Sequence, residues 1–262
     1  KRVSNTGNVF RHVYYKGKNG WEQLEWLRER LDAKFEQRYV KSEDSECGPP
    51  EDAPSLFPEV EECPAEEDRR IEHMADGSYH YNQKFWRYNK RGQFRTIPLR
   101  IRLKDIKFSK SQKRVLRINA DLEIQKLPLK VNQDGDECKL FRRHKMRFGQ
   151  NAPAEVKLPL GERNKKFCVF EDGKLVAASF FEMGANTSYG YYAIFDPEIE
   201  WRSLGIFTML KEIEYANEQG NEFYYLGYAF DKPTLYDYKK RFHGLESYDW
   251  QTGKWVNFER SV

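Results

Sequence analysis

The chain has 262 residues, 39% hydrophobic, 33% charged and 15% aromatic, with a net charge of +4, which suits one large soluble domain or two closely joined ones. No apolar run approaches the roughly 20 residues of a membrane span, and the start Lys1-Arg2-Val3-Ser4-Asn5 lacks the apolar stretch of a signal peptide, so the expectation is a soluble, cytoplasmic protein with no membrane partner. Cys47, Cys63, Cys138 and Cys168 stand far apart without a C-x-x-C pair, which argues against a metal site or a disulfide framework and leaves reduced thiols as the expectation.

In chain order, Trp21, Leu24, Leu27, Leu31 and Phe35 recur at three- and four-residue steps and predict a helix from about Gly20 to Tyr39. From Glu43 to Asp68 the chain is rich in acid and proline without periodicity, which predicts a solvated insertion at about 41–72. Ile97, Leu99, Ile101 and Leu103 then alternate with polar residues as in a half-buried strand, with Arg100, Arg102 and Lys104 facing outward. Bases dominate from Lys84 to Arg117, with Asp105 as the only acid and Phe85, Trp86, Tyr88, Phe94 and Phe108 interleaved. That pattern suits a solubilising strand face, and equally a surface that follows a phosphate backbone with rings for stacking.

From Lys166 the pattern becomes regular. Val169 to Phe170, a turn at Glu171-Asp172-Gly173, and Leu175 to Phe181 predict a hairpin; a further strand runs from Tyr189 to Phe195. Ile206, Met209, Leu210, Ile213 and Ala216 predict a helix, with Ser203 near its start and Gly220 as the left-handed residue past its end, and Phe223 to Tyr228 resumes as a strand. This order of hairpin, strand, helix and strand is that of GNAT acyltransferases. The expected fold class is therefore α/β, a GNAT-like mixed sheet with flanking helices, as one sheet or as two GNAT-like halves. Residues 1–128 are expected to form an N-terminal basic region and residues 129–262 a C-terminal transferase domain.

Four separated segments stand out: SKSQKRVLRINADL (109–122), FDPEIEWRSLG (195–205), YYLGY (224–228) and YKKRF (238–242). Together and in this order they resemble the arginyl-tRNA–protein transferase family and its bacterial aspartate/glutamate leucyltransferase relatives. The likeness runs from about Arg95 to Glu246. The family's N-terminal cysteine cluster, and its cysteines before the Ser-x-Ser-Gln segment, have no counterpart here, so neither a metal nor a cofactor is expected. Lys232-Pro233-Thr234-Leu235 stands in place of the family's Cys-Pro-Lys-Met-like turn, a place that the resemblance connects with acceptor choice.

The resemblance implies attack of an amine on the ester joining an amino acid to the terminal tRNA ribose. The partners are an aminoacyl-tRNA, with Arg-tRNA favoured, and a protein or peptide acceptor. An α-amine with a pKa of about 7.7 to 8 has a useful neutral fraction near pH 7, so the reaction needs mainly orientation and an oxyanion donor, not a covalent nucleophile. The Arg202-Ser203-Leu204-Gly205 turn opens a helix, where backbone N–H groups favour an anion; Ser203 is a candidate there, against a plain N-cap role. Tyr228 and Tyr238 are candidate donors to the ester oxygen, against a structural role. Lys239 and Arg241 are candidates for holding phosphate or an acceptor carboxylate, and Arg114, Arg117, Asn119 and Arg202 for substrate binding. His144 and His243 qualify as proton carriers only because histidine titrates near neutrality, and Asp196 beside Pro197 suits a turn. The competing readings are an acyl-CoA-dependent N-acyltransferase, disfavoured by a thin glycine loop, and a catalytically silent RNA-binding relative. Titration with acetyl-CoA separates the first of these.

Overall fold

The computed structural model describes residues 60–62, 67–81, 84–91, 94–129, 135–147 and 163–259. The helix expected at 20–39 and most of the acidic insertion lie outside them. Among the described residues no helix is long and apolar enough to cross a membrane.

Two short runs inside the end of the expected insertion are ordered, contrary to the solvated-loop expectation. Strand β1 (Val60–Glu62) pairs with β3 (Lys84–Trp86), which also pairs with β2 (Tyr79–Tyr81), and helix α1 spans Glu67–Ala75. Composition misleads here because tertiary contacts hold α1. Met74 is fully buried with Phe85, Tyr189 and Tyr225, and fully buried Arg70 pairs with Glu182 at 3.0 Å, a charge pair whose cost is met only where both partners are engaged.

The large sheet contains β4 (Lys90–Arg91), β5 (Phe94–Arg102), β6 (Glu123–Pro128), β7 (Asn164–Glu171), β8 (Lys174–Met183), β9 (Thr187–Phe195), β10 (Phe223–Phe230), β11 (Leu245–Asp249) and β12 (Lys254–Asn257). Its order is β12-β11-β5-β10-β9-β8-β7-β6, with β4 on β5. β5 and β6, from before residue 129, are strands of the same sheet as β7 to β12, so among the described residues the α/β architecture is one continuous mixed sheet. The β7–β8 hairpin turns through Asp172 (φ 49°) and Gly173 (φ 77°), a conformation whose twist matches that of the flanking strands.

Helices α2 (Lys110–Ile118), α3 (Asp136–Lys145) and α4 (Leu204–Glu218) flank this sheet. Adjacent strand residues point to opposite faces. Thus Ala177 packs with Leu204 and Phe207 of α4, while Ala178 packs with Leu140 of α3. Tyr224 likewise joins Leu210 and Ile213 of α4, and Tyr225 joins Met74 of α1. Gly220 follows α4 at φ 78°, as expected.

Leu99, Ile101 and Leu103 are buried as their alternation predicts. Arg100 and Arg102 are not free outward bases, because β11 lies beside β5 and brings Glu246 between them. Arg100 Nε donates to Glu246 at 2.7 Å, Arg102 pairs with the other carboxylate oxygen, and the Arg100 guanidinium lies 3.7 Å from the Phe223 ring centroid and 4.4 Å from that of Trp255. Lys104 is exposed as expected, as are Arg95 on β5 and Lys107, Lys110, Lys113, Arg114 and Arg117 on α2 and the segment leading into it.

Candidate active site

The sheet is split at one place. β9 and β10 run parallel and pair only over Thr187–Tyr189 and Phe223–Tyr225. Beyond that both strands turn irregular: the β8–β9 register shifts between Phe180 and Phe181, leaving Tyr191 as an extra residue, and the β10–β5 register shifts between Tyr225 and Gly227. A bulge bends a strand and disrupts its ladder, which accounts for the end of the β9–β10 pairing after Tyr189 and Tyr225. Gly227 sits at φ 76°, which an L side chain resists; a Cβ there would lie 3.2 Å from Tyr189 Oη and 3.5 Å from Lys239 Nζ.

A polar cluster fills the base of the split. Glu212, on α4, is buried, and its carboxylate accepts from Tyr224 Oη at 2.5 Å. Burial pushes the Glu212 carboxyl up from 4.5 to about 7; the facing hydroxyls of Ser179 and Tyr224 favour the ionised form and only partly offset this. Tyr238 lies in the short 3-10 segment Leu235–Arg241 that packs against β10; burial, then the nearby Glu212 charge, push its phenol up to about 12. Lys239 Nζ donates to the carbonyls of Leu226 (2.6 Å) and Tyr228 (3.3 Å), on either side of Gly227, and burial lowers its pKa to about 8. Near pH 7 the cluster therefore offers a neutral phenol, a largely charged ammonium and a carboxyl poised between its two forms.

The profile described as "Arginine-tRNA-protein transferase, C terminus" matches residues 134–249, a stretch that holds the whole cluster. The relatives include an aspartate/glutamate leucyltransferase of Vibrio vulnificus, 30% identical over 155 residues (56% of this chain, 65% of the relative), and one of Acinetobacter baumannii, 26% identical over 181 residues (63% and 64%). Over these residues the chain is similar to the arginine-tRNA–protein transferase family. The chain thus spans just under two thirds of the length of these relatives. Among solved structures, a GCN5-related N-acetyltransferase from Kribbella flavida matches with a TM-score of 0.32 at 13% identity, covering 50% of this chain and 48% of that one.

The segments that resemble the arginine-tRNA–protein transferase family meet in pairs. Ser109 and Gln112 of SKSQ form a reciprocal capping box at the start of α2: Gln112 N donates to Ser109 Oγ (3.3 Å) and Ser109 N to Gln112 Oε1 (2.8 Å). At the other end of α2, Asn119 Nδ2 donates to the carbonyls of Val115 (2.9 Å) and Arg202 (2.8 Å). Arg202 in turn binds both oxygens of Asp121 (3.0 and 2.8 Å), Glu171 (2.6 Å) and the Ile118 carbonyl (2.9 Å). The Asn119 amide and the Arg202 guanidinium therefore fix α2 and the β7–β8 turn to the entrance of α4. Arg202→Ala is expected to loosen this junction, because it removes the bonds to Asp121, Glu171 and the Ile118 carbonyl at once; denaturant unfolding that shows no loss would contradict this. YYLGY and YKKRF meet in the same manner, through Lys239 and the carbonyls around Gly227.

Tyr238 and Lys239 are thus the two sequence-named residues that the structure brings together in the cluster. Tyr228 contributes its carbonyl; its ring packs with Tyr79 (4.9 Å), Phe230 (5.3 Å) and Tyr88 (5.6 Å). Ser203 stands at the N-cap of α4 in a left-handed conformation (φ 53°), and its side chain makes no capping bond; its carbonyl accepts from Ile206 N and Phe207 N, both at 3.0 Å. Arg114 and Arg117 are exposed on α2, and Arg241 is exposed at the end of its 3-10 segment. His144 is buried against the Phe195 backbone and burial lowers it to about 4, so it stays neutral at pH 7. Asp196 accepts from Glu198 N (3.1 Å) and pairs with Arg143 (2.9 Å), which makes it a turn residue. Burial pushes the Cys168 thiol up to about 12, which leaves it inert. Sequence reasoning missed Glu212, Tyr224, Tyr189 and Gly190. The available signal was an acid on the row Leu204, Thr208, Glu212, Ala216 of α4, a four-residue spacing that shares the buried face.

Proposed function

We propose that the chain transfers an amino acid from a charged tRNA to an amine of a protein or peptide, at the split between β9 and β10. The observation that carries this reading is the meeting of the YLGY and YKxRF segments there, which places a phenol, an ammonium and a buried carboxyl around one gap. The neutral amine attacks the ester carbonyl; the C–N bond forms, the bond to the ribose oxygen breaks, and the proton lost by nitrogen ends on that oxygen. An ammonium has three donors. Two of Lys239's are directed at the Leu226 and Tyr228 carbonyls, which leaves one for the developing oxyanion, held in a site where such a donor is worth about 3 kcal/mol. Tyr238 donates to the ester oxygen. Arg241 takes a phosphate or an acceptor carboxylate, and the exposed bases of α2, Arg114 and Arg117 among them, follow the tRNA backbone. Asn119, Arg202 and Ser203 shape the entrance of α4, whose free N–H groups face an anion.

The family description supports arginine as the transferred residue, and the names of the relatives support leucine. Those names also make peptides beginning with Asp or Glu the first acceptors to try. Tyr238→Phe is expected to lower transfer about 10²-fold while folding is retained, as loss of a proton donor does, and Arg241→Ala to weaken it. Labelled-residue transfer checks both, and unchanged turnover in either variant removes that residue from the mechanism.

A further inference from the structure

One guanidinium stands at the point where β9 and β10 part. Arg70 of α1 is fully buried, and its Nη2 donates to Thr187 Oγ1 (3.4 Å), on the stretch of β9 that still pairs with β10. Its Nη1 lies 3.0 Å from Glu182 Oε2 on β8. The same carboxylate oxygen accepts from the Tyr191 phenol at 2.5 Å, and Arg163 Nε stands 3.6 Å from the other oxygen. Tyr191 is the extra residue of the β9 bulge: Gly190 pairs with Phe181 and Tyr192 with Phe180, which leaves Tyr191 without a ladder partner on β8. Glu182 itself pairs with Tyr189, so the Tyr191 phenol reaches diagonally across the two strands to the carboxylate. Arg70 thus holds β9 on both sides of the branch point, directly at Thr187 and through Glu182 at Tyr191. The bulge adjoins the polar cluster. The Tyr191 ring lies 5.1 Å from the Tyr189 ring, and Tyr189 Oη and Lys239 Nζ are the two groups that flank the missing side chain of Gly227.

A buried ion pair is a poor fastening for a helix. Taking both charges out of water costs about what their attraction returns, and apolar side chains of similar size hold such a place as well or better. Met74, one turn along α1 from Arg70, already packs with Tyr189 and Tyr225 and supplies that apolar contact. What the charges add is direction. A guanidinium and a carboxylate that must meet in one geometry fix a register, and here the register is that of a bulge, the device that bends a strand and re-aims its side chains.

We propose that Arg70 and Glu182 are positioning residues of the transfer site, which hold Tyr191 out of the β8–β9 ladder and so fix the β9 edge of the split. The proposal rests on the aminoacyl-transfer reading and extends the site to α1. Glu182 and Tyr191 lie within the residues matched by the family profile, whereas Arg70 lies outside them.

The test uses two variants of the 262-residue chain, assayed for labelled-residue transfer with one peptide acceptor. Arg70→Met combined with Glu182→Leu replaces the ion pair with apolar side chains. This double variant is expected to unfold at no lower urea concentration than the unmodified chain. Its kcat is expected to fall about 10²-fold, the scale of a misplacement of about 1 Å, with KM for the charged tRNA changed by less than about twofold. Tyr191→Phe keeps the ion pair and removes only the hydroxyl that reaches Glu182; its kcat is expected to fall about tenfold, as loss of one hydrogen bond to a charged group does, again at nearly constant KM. A stable double variant with unchanged kcat, or with a loss carried by KM alone, overturns the proposal and leaves the pair as packing. Unchanged kcat in Tyr191→Phe overturns it equally, and decides the matter if the double variant does not fold. Failure of the unmodified chain to transfer from any charged tRNA overturns the aminoacyl-transfer reading itself, and the proposal with it.

Discussion

Glu212→Gln is expected to stabilise the folded chain by about 3 kcal/mol at pH 8 and to leave its stability nearly unchanged at pH 4.5. The Glu212 carboxyl titrates at 4.5 ordinarily and at about 7 when folded. A raised carboxyl binds its proton more tightly in the folded state, so its contribution is fully present below 4.5 and is lost as pH rises through 7. Above that the folded chain carries a buried charge with only hydroxyls to meet it. Glutamine keeps an oxygen to accept from Tyr224 Oη and removes the charge. The variant should therefore be more stable and less active, the trade expected where a site holds a strained group for function. Urea unfolding at pH 5 and pH 8 checks it; an equal change at both values, or a loss at pH 8, would show that the carboxyl is not held in this way.

Gly190→Ala is expected to destabilise the fold by about 3 kcal/mol and to lower transfer about 10²-fold, the scale of a misplacement of about 1 Å. The new methyl would lie 2.2 Å from Tyr224 Oη and 3.1 Å from Tyr224 Cζ, both in a fully buried side chain that cannot swing clear. Either the 2.5 Å contact of Tyr224 with Glu212 breaks or β9 moves, and the cleft changes with it. Adding Tyr224→Phe removes the clashing oxygen and should restore part of the stability without restoring activity. Thermal unfolding of the single and double variants decides this, and a double variant no more stable than Gly190→Ala alone would place the clash elsewhere.

Local pattern made much of this fold legible. The helix over Leu204–Glu218 follows from its apolar spacing, its end from Gly220, and the β7–β8 hairpin from Asp172-Gly173, because each depends on neighbours within a turn. Arg100 and Arg102 were misread as open bases because Glu246, which pairs with both, is more than 140 residues away. Arg70 sits at the end of a run whose acid and proline content describes a solvated chain, and only its partner Glu182 across the fold makes it buried. The site was half legible. Tyr238 and Lys239 came from the family segments, whereas the spacing on α4 marks Glu212 only as an acid on a buried face, and its partner Tyr224 lies on a separate strand. The glycines told least from sequence, since what matters at Gly190 is the side chain that fills its missing Cβ.

The most direct test mixes the chain with tRNAs charged with labelled arginine, leucine and other residues, in the presence of peptides beginning with Asp, Glu, Lys, Arg and Ala. The account predicts label in a peptide, in amide linkage, with release of free tRNA and with about 10²-fold less label from Tyr238→Phe. No label in any peptide from any charged tRNA, with the chain folded, would contradict aminoacyl transfer at the β9–β10 split.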